Sequence, residues 1–189
     1  MLCYGKWLLL GISLILCACT PKLDVELSPA ATQQGPNPPG DFSVGLVVVP
    51  APDVSEAGTG NEMAYRAKIN ELMAGNAKAM MNTISRNVTV LSSVGPDEQL
   101  DYYVVAYAPR VERTTRLWAM QNQTLTVAVD WQVLNKTRET LLKDTVVGEG
   151  VQPMGNGFTG KGNFEAVIRD AMSDMFYKVR ARIMPVLAR

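Results

Sequence analysis

The chain has no histidine in 189 residues. That removes the commonest general acid/base and the commonest transition-metal ligand together, and with them any Ser-His-Asp or Cys-His catalytic site. Cysteine is scarce, with three residues, and none falls in a spacing that would hold structural zinc. Neither sign of charge is in excess: 18 basic residues meet 18 acidic ones, so the basic footprint expected of a nucleic-acid binder is missing. Aromatics make up only 7%. The longest apolar run, Trp7 to Ala18, is about a dozen residues, short of the roughly 20 that a membrane-spanning helix requires. What is present is a chain 47% hydrophobic and 19% charged, enough to bury a core, and a length that fits one domain plus a targeting segment.

The first residues read as that segment. Lys6 precedes the apolar run, which has signal-peptide length, and the run ends in Leu16-Cys17-Ala18-Cys19. Leu16, Ala18 and Cys19 resemble the bacterial lipobox. The resemblance implies that residues 1–18 are a lipoprotein signal peptide and that the Cys19 thiol is acylated as the new N-terminus. Cys3 and Cys17 would leave with the signal, so neither a disulfide nor a free thiol is expected. Thr20 follows the lipid-bearing Cys in place of Asp, which in this class implies sorting to the outer membrane, on its periplasmic side, with three acyl chains making residence stable.

Residues 19–40 hold the acylated Cys and a tether containing Pro21, Pro29, Pro36, Pro38 and Pro39. As mixed coil, such a tether holds the following domain on the order of 25 Å from its anchor. Within it Leu23 to Leu27 alternates apolar and acidic residues and fits an edge strand or an extended linker equally well.

Residues 41–189 are predicted to form an α+β domain. From Phe42 the run Ser43 to Val49 is short, β-branched and nearly continuous, as in a strand buried on both faces, and Pro50 and Pro52 end it. Thr59 to Glu62 has capping-box spacing, and Ile69, Leu72, Met73, Ala77, Met80 and Ile84 then predict an amphipathic helix over 62–85. A short strand follows at Val88 to Leu91. Three longer β segments come next: 101–117, 124–134 with Leu125, Val127, Val129, Trp131 and Val133 on one face, and 139–151. Asn135 to Arg138 is a hairpin loop between the last two. After a glycine-rich loop, the stripe from Phe164 to Ile183 predicts a final helix, with Asp174/Lys178 as an i,i+4 pair and Pro185 as its stop. The expected order is β-α-β-β-β-β-α, a single mostly antiparallel sheet with two helices packed on one face.

Other motifs carry no chemistry. Gly155 to Gly162 fits G-x-x-x-x-G-K but puts glycine where a phosphate loop needs Ser or Thr for magnesium. Asp97, Glu98 and Asp101 gather at a turn and read as a solvated loop. No cofactor and no metal site is expected. Basic and aromatic groups gather outside the core pattern at Arg110, Arg113, Arg116 and Trp118, the candidate partner-contact surface; a solvated strand end is the plainer account of them.

The Cys19 motif, the Pro-rich tether, the strand Gly45 to Pro50, the polar meander and the last helix together resemble small bacterial envelope lipoproteins of the YajG type, and more loosely LptE and the LpoB/CsgG-like group. This implies a non-catalytic, lipid-anchored periplasmic accessory or assembly subunit of an envelope protein complex, attached to the membrane through Cys19 and bound to neither nucleotide nor nucleic acid. The alternative is a carrier or sensor of a lipid or glycan held between sheet and helices. A filled core with an exposed Trp118 region favours the first and a groove with an apolar cavity the second.

Overall fold

Val44, Leu46 and Val47 are all at most 5% exposed in the first strand, β1 (Gly40–Val48), so the β-branched run is covered on both faces as its composition requires. The computed structural model describes residues 39–51, 60–95, 99–114, 123–152 and 161–188. The signal peptide, Cys19, the tether up to residue 38, Asp97, Glu98, Arg116, Trp118 and the motif's glycines before Lys161 lie outside the described residues. β1 sits between two parallel neighbours, β2 (Ser85–Leu91) and β3 (Tyr102–Ala106), with Val44 opposite both Val88 and Tyr102. Helix α1 (Gly60–Asn82) supplies the crossover that a parallel pair needs.

The segment 101–117, expected as one strand, is divided. β3 and β4 (Arg110–Thr114) lie end to end along the same edge of β5 (Gln123–Asn135). Ala106 faces Trp131 and Arg110 faces Ala128, so Tyr107, Ala108 and Pro109 stand against only Val129 and Asp130. That mismatch is a β-bulge, and it contains Pro109, which has no N–H to give a ladder. The observed order is therefore β-α-β-β-β-β-β-α. The other edge of β5 pairs along its length with β6 (Thr140–Gln152), which completes a six-stranded sheet in which the β3–β5, β4–β5 and β5–β6 pairings are antiparallel.

On β5 the alternation holds along the strand. Leu125, Val127, Val129, Trp131 and Val133 are at most 2% exposed, while Thr124, Thr126, Ala128, Asp130 and Gln132 on the other face are half-buried. Helix α2 (Lys161–Leu187) lays Val167, Ile168, Ala171, Met172, Met175, Phe176, Val179 and Ile183 onto the buried face, with Phe176 edge-on to Trp131 at 6.1 Å. Met73, Ala77, Met80 and Met81 of α1 join the same core, so both helices pack on one side of the sheet. Pro185 does not stop α2. Its missing N–H falls in the last turn, and Leu187 beyond it is 2% exposed, so burial of that leucine offsets the lost bond.

Candidate functional site: the open face and edges of the sheet

The face of the sheet away from the helices carries the polar half of the β5 alternation, and register decides which groups meet there. Thr145 stands directly opposite Asp130, and Arg110, opposite Ala128, is its diagonal neighbour from the other side. Arg110 donates two hydrogen bonds to the Asp130 carboxylate, at 2.7 and 3.1 Å, and the Thr145 hydroxyl donates a third at 2.6 Å. One strand step away, the Tyr107 hydroxyl donates to Gln132 at 2.9 Å, and the Gln132 amide donates to Thr140 at 2.8 Å. Two polar rows thus cross this part of the sheet.

The Arg110 guanidinium, and after it the Thr145 hydroxyl, holds the Asp130 carboxyl down at about 2. Asp130 in turn raises the pKa of Arg110. A carboxylate so engaged stays ionised at neutral pH and has no proton to give, so it orders Arg110 rather than serving as a general acid.

Of the sequence-derived contact residues, Arg110 is on this face and bonded to Asp130. Arg113 is in β4 with its backbone in register with Leu125. Arg116 and Trp118 are outside the described residues. Asp101 accepts from the Ser43 amide at 2.7 Å and from the Ser43 hydroxyl at 2.8 Å, which holds its carboxyl below the usual range, the amide being the larger cause. Among the described residues there is no group of His, Cys, Asp and Glu able to hold a metal, and no helix is long and apolar enough to cross a membrane.

The β6 edge is closed by α2. The Glu149 amide donates to Asp174 at 3.0 Å, Lys178 donates to the Val147 carbonyl at 3.0 Å and to Asp174 at 2.7 Å, and Arg182 pairs with Asp144. The i,i+4 pair expected on a solvated helix face therefore occupies main-chain groups that would otherwise invite a further strand. Beneath it, Gly148 and Gly150 let the helix backbone rest on the strand. The sequence does carry a signal for this approach, glycine at two successive inward positions of one strand, but glycine alone does not say what comes close.

No protein-family model matches this sequence, and no curated protein does. Among solved structures the fold is similar to protein XCC0632 from Xanthomonas campestris, 10% identical, covering 86% of this chain and 92% of that one with a TM-score of 0.52. The minor lipoprotein from Acinetobacter baumannii is 9% identical and covers 78% of this chain and 94% of its own, with a TM-score of 0.47. The rare lipoprotein B from Shewanella oneidensis is 12% identical, with 77% and 99% covered and a TM-score of 0.38. At these identities the likeness to XCC0632 is one of fold.

Proposed function

We propose that this chain is a lipid-anchored accessory subunit on the periplasmic side of a bacterial outer membrane, without catalytic activity of its own, that docks onto an envelope protein complex. The lipobox ending in Cys19 supports the anchor and the compartment. The observation that carries the docking reading is the contact of α2 with β6. A Cβ on Gly148 would come within 2.5 Å of the Met175 backbone nitrogen, and one on Gly150 within 3.1 Å of the Ala171 nitrogen. At Gly148 and Gly150 the helix backbone rests directly on β6 and leaves no room between them for a lipid or glycan, which weighs against the carrier reading. The opposite face presents ordered polar rows to a partner instead.

The test is affinity capture of the tagged, full-length protein from gently solubilised membranes. A stoichiometric envelope-protein partner is expected, and recovery of the protein with no partner overturns the docking reading. Cys19→Ser is expected to move the protein from the membrane to the soluble fraction; continued membrane residence overturns the anchor.

A further inference from the structure

The sheet's edges are treated differently. β6 is closed by Asp174 and Lys178, whereas no described residue pairs with the outer edge of β4. β1 stops short of it: the Val49 amide still bonds the Ala106 carbonyl, at 2.8 Å, and two residues later Asn70 of α1 takes hold of the chain. Its side chain accepts from the Ala51 amide at 3.0 Å and donates to the Ala51 carbonyl at 3.2 Å. Ala51 is thereby held to the helix layer.

Register fixes which β4 groups point outward. Because the Glu149 amide and the Val147 carbonyl face α2, their opposites Thr126 and Ala128 turn their main-chain groups toward β4. Arg110 and Glu112, opposite Ala128 and Thr126, complete those bonds, so the amides and carbonyls of Val111 and Arg113 point away from the sheet. The Tyr107 amide bonding to Asp130 at 2.9 Å, and the Ala106 carbonyl turned to β1, fit the same phase.

Arg110-Val111-Glu112 is self-complementary when a strand pairs antiparallel with a copy of itself. With Val111 on the two-fold axis, the two Val111 residues exchange both main-chain bonds. Each Arg113 amide then reaches the carbonyl of the second copy's Pro109, where the missing proline N–H costs only an end position. Arg110 falls directly opposite Glu112 of the other copy, twice, in the closely spaced non-hydrogen-bonded pairs of the ladder. Arg110 bonds Asp130 on that face yet its side chain stays 52% exposed, so part of the guanidinium remains open to a second glutamate. We propose that β4 is a homodimerisation edge at which two copies of this chain join their sheets through antiparallel pairing centred on Val111.

The experiment is sedimentation equilibrium of the purified full-length chain in detergent, across the accessible concentration range. A monomer–dimer equilibrium is expected. Glu112→Lys, which sets like charges together twice, is expected to weaken it about tenfold or more. Lys143→Glu, on exposed β6, should leave it unchanged. Val111→Cys provides a second measurement that does not depend on charge. Antiparallel partners exchanging bonds stand about 5.5 Å apart at Cα, within disulfide range, so oxidation should yield a covalent dimer above the background set by the wild-type cysteines. A monomer at every concentration, an assembly unaffected by Glu112→Lys, or Val111→Cys that cross-links no more than Val147→Cys would each overturn the proposal.

Discussion

Gly148 of β6 lies so close under Met175 of α2 that a Cβ added to the glycine would stand 2.5 Å from the methionine Cβ, nearer than real side chains come. The Ala171 carbonyl oxygen is closer still. Gly150, two residues on, meets the Val167 carbonyl in the same way. Two glycines on the inward face of one strand thus fix how deeply the last helix sits on the sheet, and with it the seating of Met172, Met175 and Phe176 in the core.

Gly148→Ala is therefore expected to destabilise the fold by about 3 kcal/mol, through displacement of helix backbone rather than rotation of a flexible side chain. Thermal unfolding followed by circular dichroism should show a midpoint about 6 to 12 °C lower. Gly75, on the exposed face of α1 with nothing within 4 Å of an added Cβ, is the opposite case. Gly75→Ala should raise stability by about 0.5 to 1 kcal/mol, because alanine favours the helix and restricts the unfolded chain. If both alanines shift the midpoint in the same direction, the close-contact account fails.

Closure of the β6 edge makes a prediction about solubility more than stability. Asp174 and Lys178 are partly exposed, and their ion pair contributes on the order of 0.5 kcal/mol. The double change Asp174→Ala with Lys178→Ala frees the Glu149 amide and the Val147 carbonyl on a strand that also exposes Leu141, Val147 and Val151. The unfolding midpoint should move little, while light scattering of concentrated protein rises with time as unprotected edges pair. Scattering equal to wild type would show that α2 does not guard this edge.

The sequence made the elements legible wherever one residue's burial repeats with a period. The inward residues of β5, the α2 stripe and the two-sided run of β1 are visible as patterns because each reflects a single face meeting a single environment. Features set by one element's approach to another were not visible. Arg110 was singled out, but its partner Asp130 lies 20 residues along, brought near by a register that the Pro109 bulge shifts by one. Asp174 and Lys178 looked like an ordinary solvent pair because nothing local says that a helix will lie over a sheet edge. Pro185 read as a stop because propensity is local, whereas the burial of Leu187 that carries the helix past it is tertiary.

The β5–β6 hairpin holds a residue in an unfavourable backbone state, which a substitution series can expose. Arg138 has φ 66°, in the left-handed region, and its guanidinium donates to the Gly95 carbonyl at 2.6 Å. Both Arg138→Gly and Arg138→Ala lose that bond, but only glycine adopts the backbone without strain. The glycine variant should be the more stable of the two by about 1 kcal/mol in urea unfolding. Equal stabilities would place the constraint in the side chain instead.

Asp130 gives the acid response a sign. Its carboxyl titrates at about 2 in the folded protein against an ordinary value of 3.8. The unfolded chain therefore binds this proton first as pH falls, and stability present in full above about pH 4 is lost progressively as pH approaches 2. The Asp130 side chain is 35% exposed, so solvent screening reduces the contribution to about 1 kcal/mol. Asp130→Asn cannot titrate. Its urea midpoint should lie below wild type at pH 6 because the charged bonds from Arg110 are weakened, and the two should converge between about pH 4 and pH 2 as the wild-type carboxylate is protonated. A gap that stays constant across that interval would mean that the ionised Asp130–Arg110 pair is not what stabilises this face of the sheet.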